Sequence, residues 1–326
     1  MFTQYLHILA IETSNLLLVM KKLLFSLVFA IIAVSILSSC RKNEEVTYSD
    51  NTIPDYDQIP SIIIDNYVNR VFIDLIGREP TDVEMANESS ALKSANMSAV
   101  SRTSLVQKLM FNEDPVVGDG SYKEAYFRKF YEDQKGRFLE GSSEALLLEQ
   151  WGIWRSIAIQ DSLNGNVLGY ELMMVEANKV WVVMTSREEL MNDSIKIQNM
   201  CYRMMFNSLY DNINMNSFNF INATFDDCFA RFPTDAEYEG IYPAIEYNGA
   251  GSVFGAFFDN KTDYIRELTH STEFDEGLIR WIYKSLLSRD ATTFEVYTQL
   301  PIYGTESNFS LVQQAILISD EYAGIE

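Results

Sequence analysis

The sequence predicts an all-α protein made of stacked helical hairpin repeats, elongated or bundle-like in outline. Three observations carry the prediction. Apolar residues recur at i, i+3, i+4, i+7 and i+8 along several segments, the spacing of one helix face. One such segment, together with the restart that follows it, occurs three times. The composition, 47% hydrophobic against 22% charged, suits a chain that buries a core.

The elements follow in chain order. Residues 1–19 read as an over-extended start, because Met20 opens a complete signal by itself. Lys21 and Lys22 are cationic, and Leu23–Leu37 is an uncharged apolar run of 15 residues. A membrane span needs about 20 residues, so this run has the length of a signal-peptide core instead. The run closes in Leu37-Ser38-Ser39-Cys40, which resembles the lipobox of bacterial lipoproteins. That resemblance makes residues 20–39 a lipoprotein signal peptide, cut between Ser39 and Cys40. It also implies acyl chains on the Cys40 thiol and its new amino group. Arg41, not an aspartate, follows the cysteine, which implies delivery to the outer membrane. The stretch Arg41–Glu45 loosely resembles the export tag of surface-exposed lipoproteins, so the surface-facing side is favoured. Residues 40–61 are polar and acidic, with Pro54 and Pro60, and read as a lipidated tether.

Unit one spans 62–115, and its segment 67–84 matches 220–237 at eight of 18 positions, among them Asp74/Asp227, Arg78/Arg231 and Glu84/Glu237. A third copy at 278–295 keeps Arg289, Thr292 and Glu295, so units two and three fill 219–326. Val68, Val71, Phe72, Leu75 and Ile76 make the apolar stripe of the first copy, and Ile279, Ile282, Tyr283, Leu286 and Leu287 repeat it. A small residue ends each stripe: Gly77, Ala230 or Ser288. Each then restarts with a capping box, Thr81 with Glu84, Thr234 with Glu237, and Thr292 with Glu295. A further amphipathic segment closes each unit, at 104–114, 263–274 and 310–322. Residues 116–218 form a middle helical region, in which Leu146–Ile159 reads as a buried helix and Lys179–Met184, though β-branched, is kept helical.

The GREPTDVE and SLVQKLM stretches of unit one resemble a domain of unknown function named for planctomycete cytochrome-associated proteins. The tandem units, through LLSRDATTFE and THSTEF, are similar to a short repeat domain of unknown function with an LGRxP-like stretch and an S-x-E-F-like ending. Neither resemblance implies a settled activity. No C-x-x-C-H occurs, so haem attachment is not expected and no cofactor is assigned.

Charge and residue counts exclude several functions. With 46 acids against 25 Lys plus Arg the net charge is −21, which repels a phosphate backbone and argues against nucleic acid. Loss of 1–39 removes two lysines and one glutamate, leaving the chain near −22. Three cysteines make neither a disulfide scaffold nor a four-thiolate zinc site, and no metal ligands are assigned. Cys201 and Cys228 could bridge or stay free; spacing alone leaves both open. His270, the only histidine beyond the leader, aligns with Phe111 and Ile318, so a packed or half-packed position is expected rather than catalysis. Asp74 with Arg78, and Asp227 with Arg231, stand at i, i+4 and read as intrahelical ion pairs. Asn248–Gly255 mimics a nucleotide loop but reads as a flexible connection. Trp151, Trp154, Trp181 and Trp281 read as core packing. Asp161-Ser162-Leu163 and Asp193-Ser194-Ile195 resemble a periplasmic O-glycosylation acceptor at Ser162 and Ser194.

No catalytic residue emerges. The expectation is a non-enzymatic binding or accessory lipoprotein of an envelope assembly, held to the membrane by its lipid and bound to a protein partner in the outer membrane. The alternative is glycan binding or hydrolysis at the cell surface, on the strength of 13% aromatic residues and many carboxylates.

Overall fold

The computed structural model describes residues 59–304 and 306–325. The signal peptide, Ser39, Cys40 and nearly all of the tether lie outside the described residues. The described chain is all-α, with fifteen helices and two short antiparallel strand pairs.

Unit one opens with α1 (Ser61–Ile76), α2 (Asp82–Ser94) and α3 (Ala99–Phe111), followed by β1 (Pro115–Val116), β2 (Asp119–Ser121) and α4 (Tyr122–Phe138). Two long helices come next, α5 (Glu144–Leu163) and α6 (Val167–Met191), then the short α7 (Ile197–Met205) and α8 (Ser208–Ile213). Unit two holds α9 (Ser217–Phe229), α10 (Asp235–Tyr247), β3 (Gly251–Val253), β4 (Ala256–Phe258) and α11 (Lys261–Thr269). The chain continues through α12 (Thr272–Leu287), α13 (Thr293–Tyr303), α14 (Phe309–Leu317) and α15 (Asp320–Ala323).

The repeated stripes lie on α1, α9 and α12, and they face the core: Val68, Val71 and Phe72 are buried, as are Ile221, Phe225 and Cys228, and Ile279 and Ile282. Each helix ends on its small residue in the left-handed conformation, with φ of 77° at Gly77, 55° at Ala230 and 56° at Ser288. The restart forms the same way three times. Thr81, Thr234 and Thr292 each accept from the amide of the glutamate three residues on, and that glutamate accepts from the threonine amide.

The closing segments of units two and three are each two elements, not one. Ser271 ends α11 and caps α12, and Ser319 ends α14 and caps α15. A serine oxygen offered to a free amide favours a helix start over continuation of the previous helix. As a result α12 closes unit two and opens unit three. The two units interlock through this shared helix. Gly277 permits this, because a methyl there would lie 2.0 Å from the Cys228 carbonyl on α9.

The Asn248–Gly255 stretch is an ordered β-hairpin, contrary to the flexible-loop expectation. Consecutive positive φ values at Phe254 (54°) and Gly255 (81°) match the right-handed twist of β3 and β4. The intrahelical pairs expected of Asp74 with Arg78 and Asp227 with Arg231 do not form. Each arginine turns past its helix end towards the capping glutamate, and each aspartate turns inward to a tyrosine hydroxyl, Tyr322 for Asp74 and Tyr210 for Asp227.

Unit three folds back onto unit one. The Tyr67 hydroxyl donates to the Leu317 carbonyl at 3.2 Å, Arg102 meets Asp320 at 2.6 Å, and Tyr126 donates to Gln313 at 2.5 Å.

Candidate functional site

Among the described residues the charged groups cluster in three repeated clamps. The Arg78 guanidinium donates from Nη1 and Nη2 to both oxygens of Glu84 at 2.9 Å, and from Nε to Asp119 at 2.9 Å. Arg231 does the same with Glu237, at 2.9 and 2.8 Å, and with Glu273 at 2.6 Å. Arg289 repeats it with Glu295, at 3.0 and 2.5 Å, and with Glu321 at 2.6 Å. A bidentate arginine–carboxylate pair is strong and geometrically specific. Hydrogen bonds from the arginine and the capping threonine hold Glu237 and Glu295 down to about 2. At Glu84 burial opposes the charge, and bonds from Arg78, Tyr122 and Thr81 outweigh it, again to about 2. These residues lock a helix start to the end of its predecessor. Each arginine spends its Nε, Nη1 and Nη2 donors on the carboxylates of its own clamp.

The other candidates separate. His270 is exposed, not packed: it caps α11, and its Nδ1 lies 2.9 Å from the Arg266 carbonyl. It ends its helix as Phe111 and Ile318 do in the sister units, and Phe111 is itself 45% exposed, so the aligned position is a helix end at the surface and not a packed face. Cys201 and Cys228 are both buried and free, with no bridge. Cys201 points to Gln134 and Cys228 to Met205, and burial pushes the Cys201 thiol up to about 12. Trp154 bonds Ser208 at 2.9 Å, and Trp281 packs against the core. Trp151 and Trp181 sit 5.3 Å apart, but Trp181 is 43% exposed, which departs from core packing. Ser162 and Ser194 are exposed, one at the end of α5 and the other after α6.

The largest departure is the α5–α6 pair. Leu146–Ile159 is not a buried helix: only Leu147 and Ala158 of α5 are fully buried, while Leu148, Ile153 and Ile159 are near half exposed. α5 packs chiefly on α6, so one neighbour covers one face and the remaining apolar faces stay open. Gly165, with φ of 75°, makes the turn between them, and Asn166 caps α6 by accepting from Gly169. The root of α6 is firmly held, with Val180, Val183, Ser186 and Leu190 buried.

Between α6 and α7 lies an open cleft of about 870 Å3. Met174, Val175 and Val182 line one side, and Ile195, Tyr202 and Phe206 the other. The Tyr202 and Phe206 rings stand 5.3 Å apart. The cations at the cleft are already engaged. Lys179 pairs with Glu176 at 2.6 Å and lies 4.3 Å from the Phe206 ring. Arg203 donates to Glu189 at 2.8 Å and to the Val182 carbonyl at 3.2 Å, and its bond holds Glu189 below the usual range. Glu171 is the sole lining carboxylate, and no tryptophan lines the cleft. Such a surface can bind an apolar group by burial. A tryptophan platform or carboxylate pair, which sugar chemistry would use, is absent from it.

Sequence reasoning missed this cleft. The available signal was that α5 and α6 carry apolar residues on every side, more than a single neighbour can cover. No protein-family model, curated protein or solved structure matches the chain. The fold and site define a class: an all-α protein of interlocked, arginine-clamped helical units bearing an apolar cleft.

Proposed function

We propose that the protein is a lipid-anchored, non-enzymatic accessory subunit of an outer-membrane assembly, with the surface-facing side favoured. In this reading it holds an apolar helical segment of a protein partner in the cleft between α6 and α7. The observation that carries the reading is the open, apolar lining of that cleft on an otherwise acidic chain. From Tyr170 to Val182 the lining follows α6 for about 18 Å, the length of roughly three helical turns. That is enough for the i, i+3, i+7 anchors of an amphipathic helix.

The test is affinity isolation from detergent-solubilised outer membrane, comparing wild type with Val175→Asp. Val175 is 53% exposed, so the substitution leaves the fold intact. A stoichiometric partner retained by wild type and lost by the variant supports the reading. Recovery of the same proteins by both, or of none by wild type, overturns it.

A further inference from the structure

Helices α4, α7 and α9 meet over a cluster of sulfur. Cys201 and Met205 stand at i, i+4 on α7, so they share a face, with Cβ atoms about 5–6 Å apart. Across from them, on α9, the Cys228 Sγ lies 3.7 Å from the Met205 Sδ. All three residues are fully buried, and both thiols are free.

Close sulfurs alone are ordinary core packing. The polar groups beside them are not. Gln134 on α4 is fully buried; its Oε1 accepts from the Cys201 thiol at 4.0 Å, while its Nε2 has no partner. Arg137, three residues on, donates from Nη2 to the Cys228 carbonyl at 3.2 Å, and its Nη1 is likewise buried without a partner. Buried donors without acceptors are costly, so each calls for an account. Thiolate sulfurs would supply those acceptors. Burial pushes both thiols up, and the Arg137 charge opposes it at each. At Cys228 a charge on Cys201 adds to the rise, so the two sulfurs stand within reach of one another.

A soft cation is what would make thiolates here. We infer that Cys201, Cys228 and Met205 form a binding site for monovalent copper, which staples α7 to α9. Thiolate and thioether sulfur select Cu(I), whereas zinc takes thiolate, imidazole and carboxylate, almost always four ligands in a structural site. Among the described residues no group of three His, Cys, Asp or Glu could hold a metal, so the thioether completes this donor set. The spacing fits. Two sulfurs bound to one metal at about 2.3 Å are about 3.8–4.0 Å apart, against the 3.7 Å between Cys228 and Met205.

As Cu(I) enters, each thiol loses its proton to water and its sulfur binds the metal, with the oxidation state of copper unchanged. Two thiolates and one Cu(I) carry a single negative charge, which the Arg137 guanidinium neutralises. Arg137 Nη1 gains a sulfur acceptor, as does Gln134 Nε2 once its amide turns over. Such outer-shell bonds orient and tune a metal site.

The sulfurs are sealed from solvent, so the metal enters as the chain folds. The test is anaerobic refolding of the full chain in detergent with Cu(I) and ascorbate, followed by competition with bicinchoninate. Wild type should retain one copper per chain against the chelator, with only sulfur nearest the metal by X-ray absorption and a raised melting temperature. Cys201→Ala and Cys228→Ala should each abolish retention. Met205→Leu, a volume-conserving change that keeps the fold, should weaken it by at least about 10-fold, the cost of disturbing even an outer-shell group. Met110→Leu, equally buried but in unit one, should bind as wild type does. Circular dichroism confirms that each protein has refolded. Loss of copper from refolded wild type to the chelator, nitrogen or oxygen as nearest neighbours, or equal binding by Met205→Leu and Met110→Leu would each overturn the inference.

Discussion

The hydroxyl of Tyr322 donates to Oδ2 of Asp74 at 2.7 Å, across 248 residues of sequence. The contact seats α15 on α1 and closes the third unit against the first. Around it the Tyr322 ring lies edge-on to Tyr67 at 5.9 Å, and the Arg70 guanidinium stacks on it at 4.1 Å. Burial raises the Asp74 carboxyl above its ordinary range, with the tyrosine bond partly offsetting it.

Tyr322→Phe removes that donor and leaves a buried carboxylate less well satisfied. Stability should fall by about 1–3 kcal/mol, the usual penalty for such a group. Denaturant unfolding at pH 7 measures it. Asp74→Asn with Tyr322 intact should cost less, because an amide oxygen can still accept.

The three clamps should rank by burial. Arg78 is less exposed than Arg289 and bonds Asp119, whose side chain is almost fully buried, whereas Arg289 bonds the half-exposed Glu321. Arg78→Lys is expected to cost about 2 kcal/mol and Arg289→Lys under about 1, since exposed pairs contribute little. Thr234→Ala should cost about 1 kcal/mol through its lost cap. Parallel urea titrations of the three variants would expose a wrong ordering.

Asp227 gives a pH dependence with a definite sign. Burial pushes its carboxyl up to about 7 despite the Tyr210 bond. The folded state therefore keeps a proton that the unfolded chain releases near pH 4. Unfolding free energy from this group is fullest below pH 4, falls as pH rises to about 7, and is level beyond. Asp227→Asn should flatten that decline, so its advantage over wild type should be larger at pH 8 than at pH 5. Equal differences in melting temperature at the two pH values would refute the assignment.

Gly152→Ala should leave the monomer as stable or stabilise it by up to about 1 kcal/mol, because the added methyl has open space and alanine favours the helix. Thermal unfolding of the two proteins side by side measures the difference.

Cys40 should carry lipid. No described helix is long and apolar enough to cross a membrane, while acyl chains bind at about 0.8 kcal/mol per buried methylene and two suffice for stable anchoring. A palmitate analogue should label wild type and not Cys40→Ala, which should be released from the membrane or remain uncut. Membrane retention of a processed Cys40→Ala protein would contradict the anchor.

The sequence by itself determined the local grammar of this protein. The stripe beginning at Val68, the left-handed stop at Gly77 and the Thr81–Glu84 restart depend on residues within one or two turns, where helical spacing dictates who meets whom. Tertiary structure alone decided the partners beyond that reach. Arg78 could pair with Asp74 at i, i+4, but Glu84 and Asp119 offer a bidentate fork and a buried third bond, and Asp74 was left for Tyr322. The exposure of Leu148 and Ile159 was equally hidden, because apolarity states only that a side chain favours burial. Which neighbour covers it depends on packing between segments far apart in the chain, and α5 has α6 alone along most of its length.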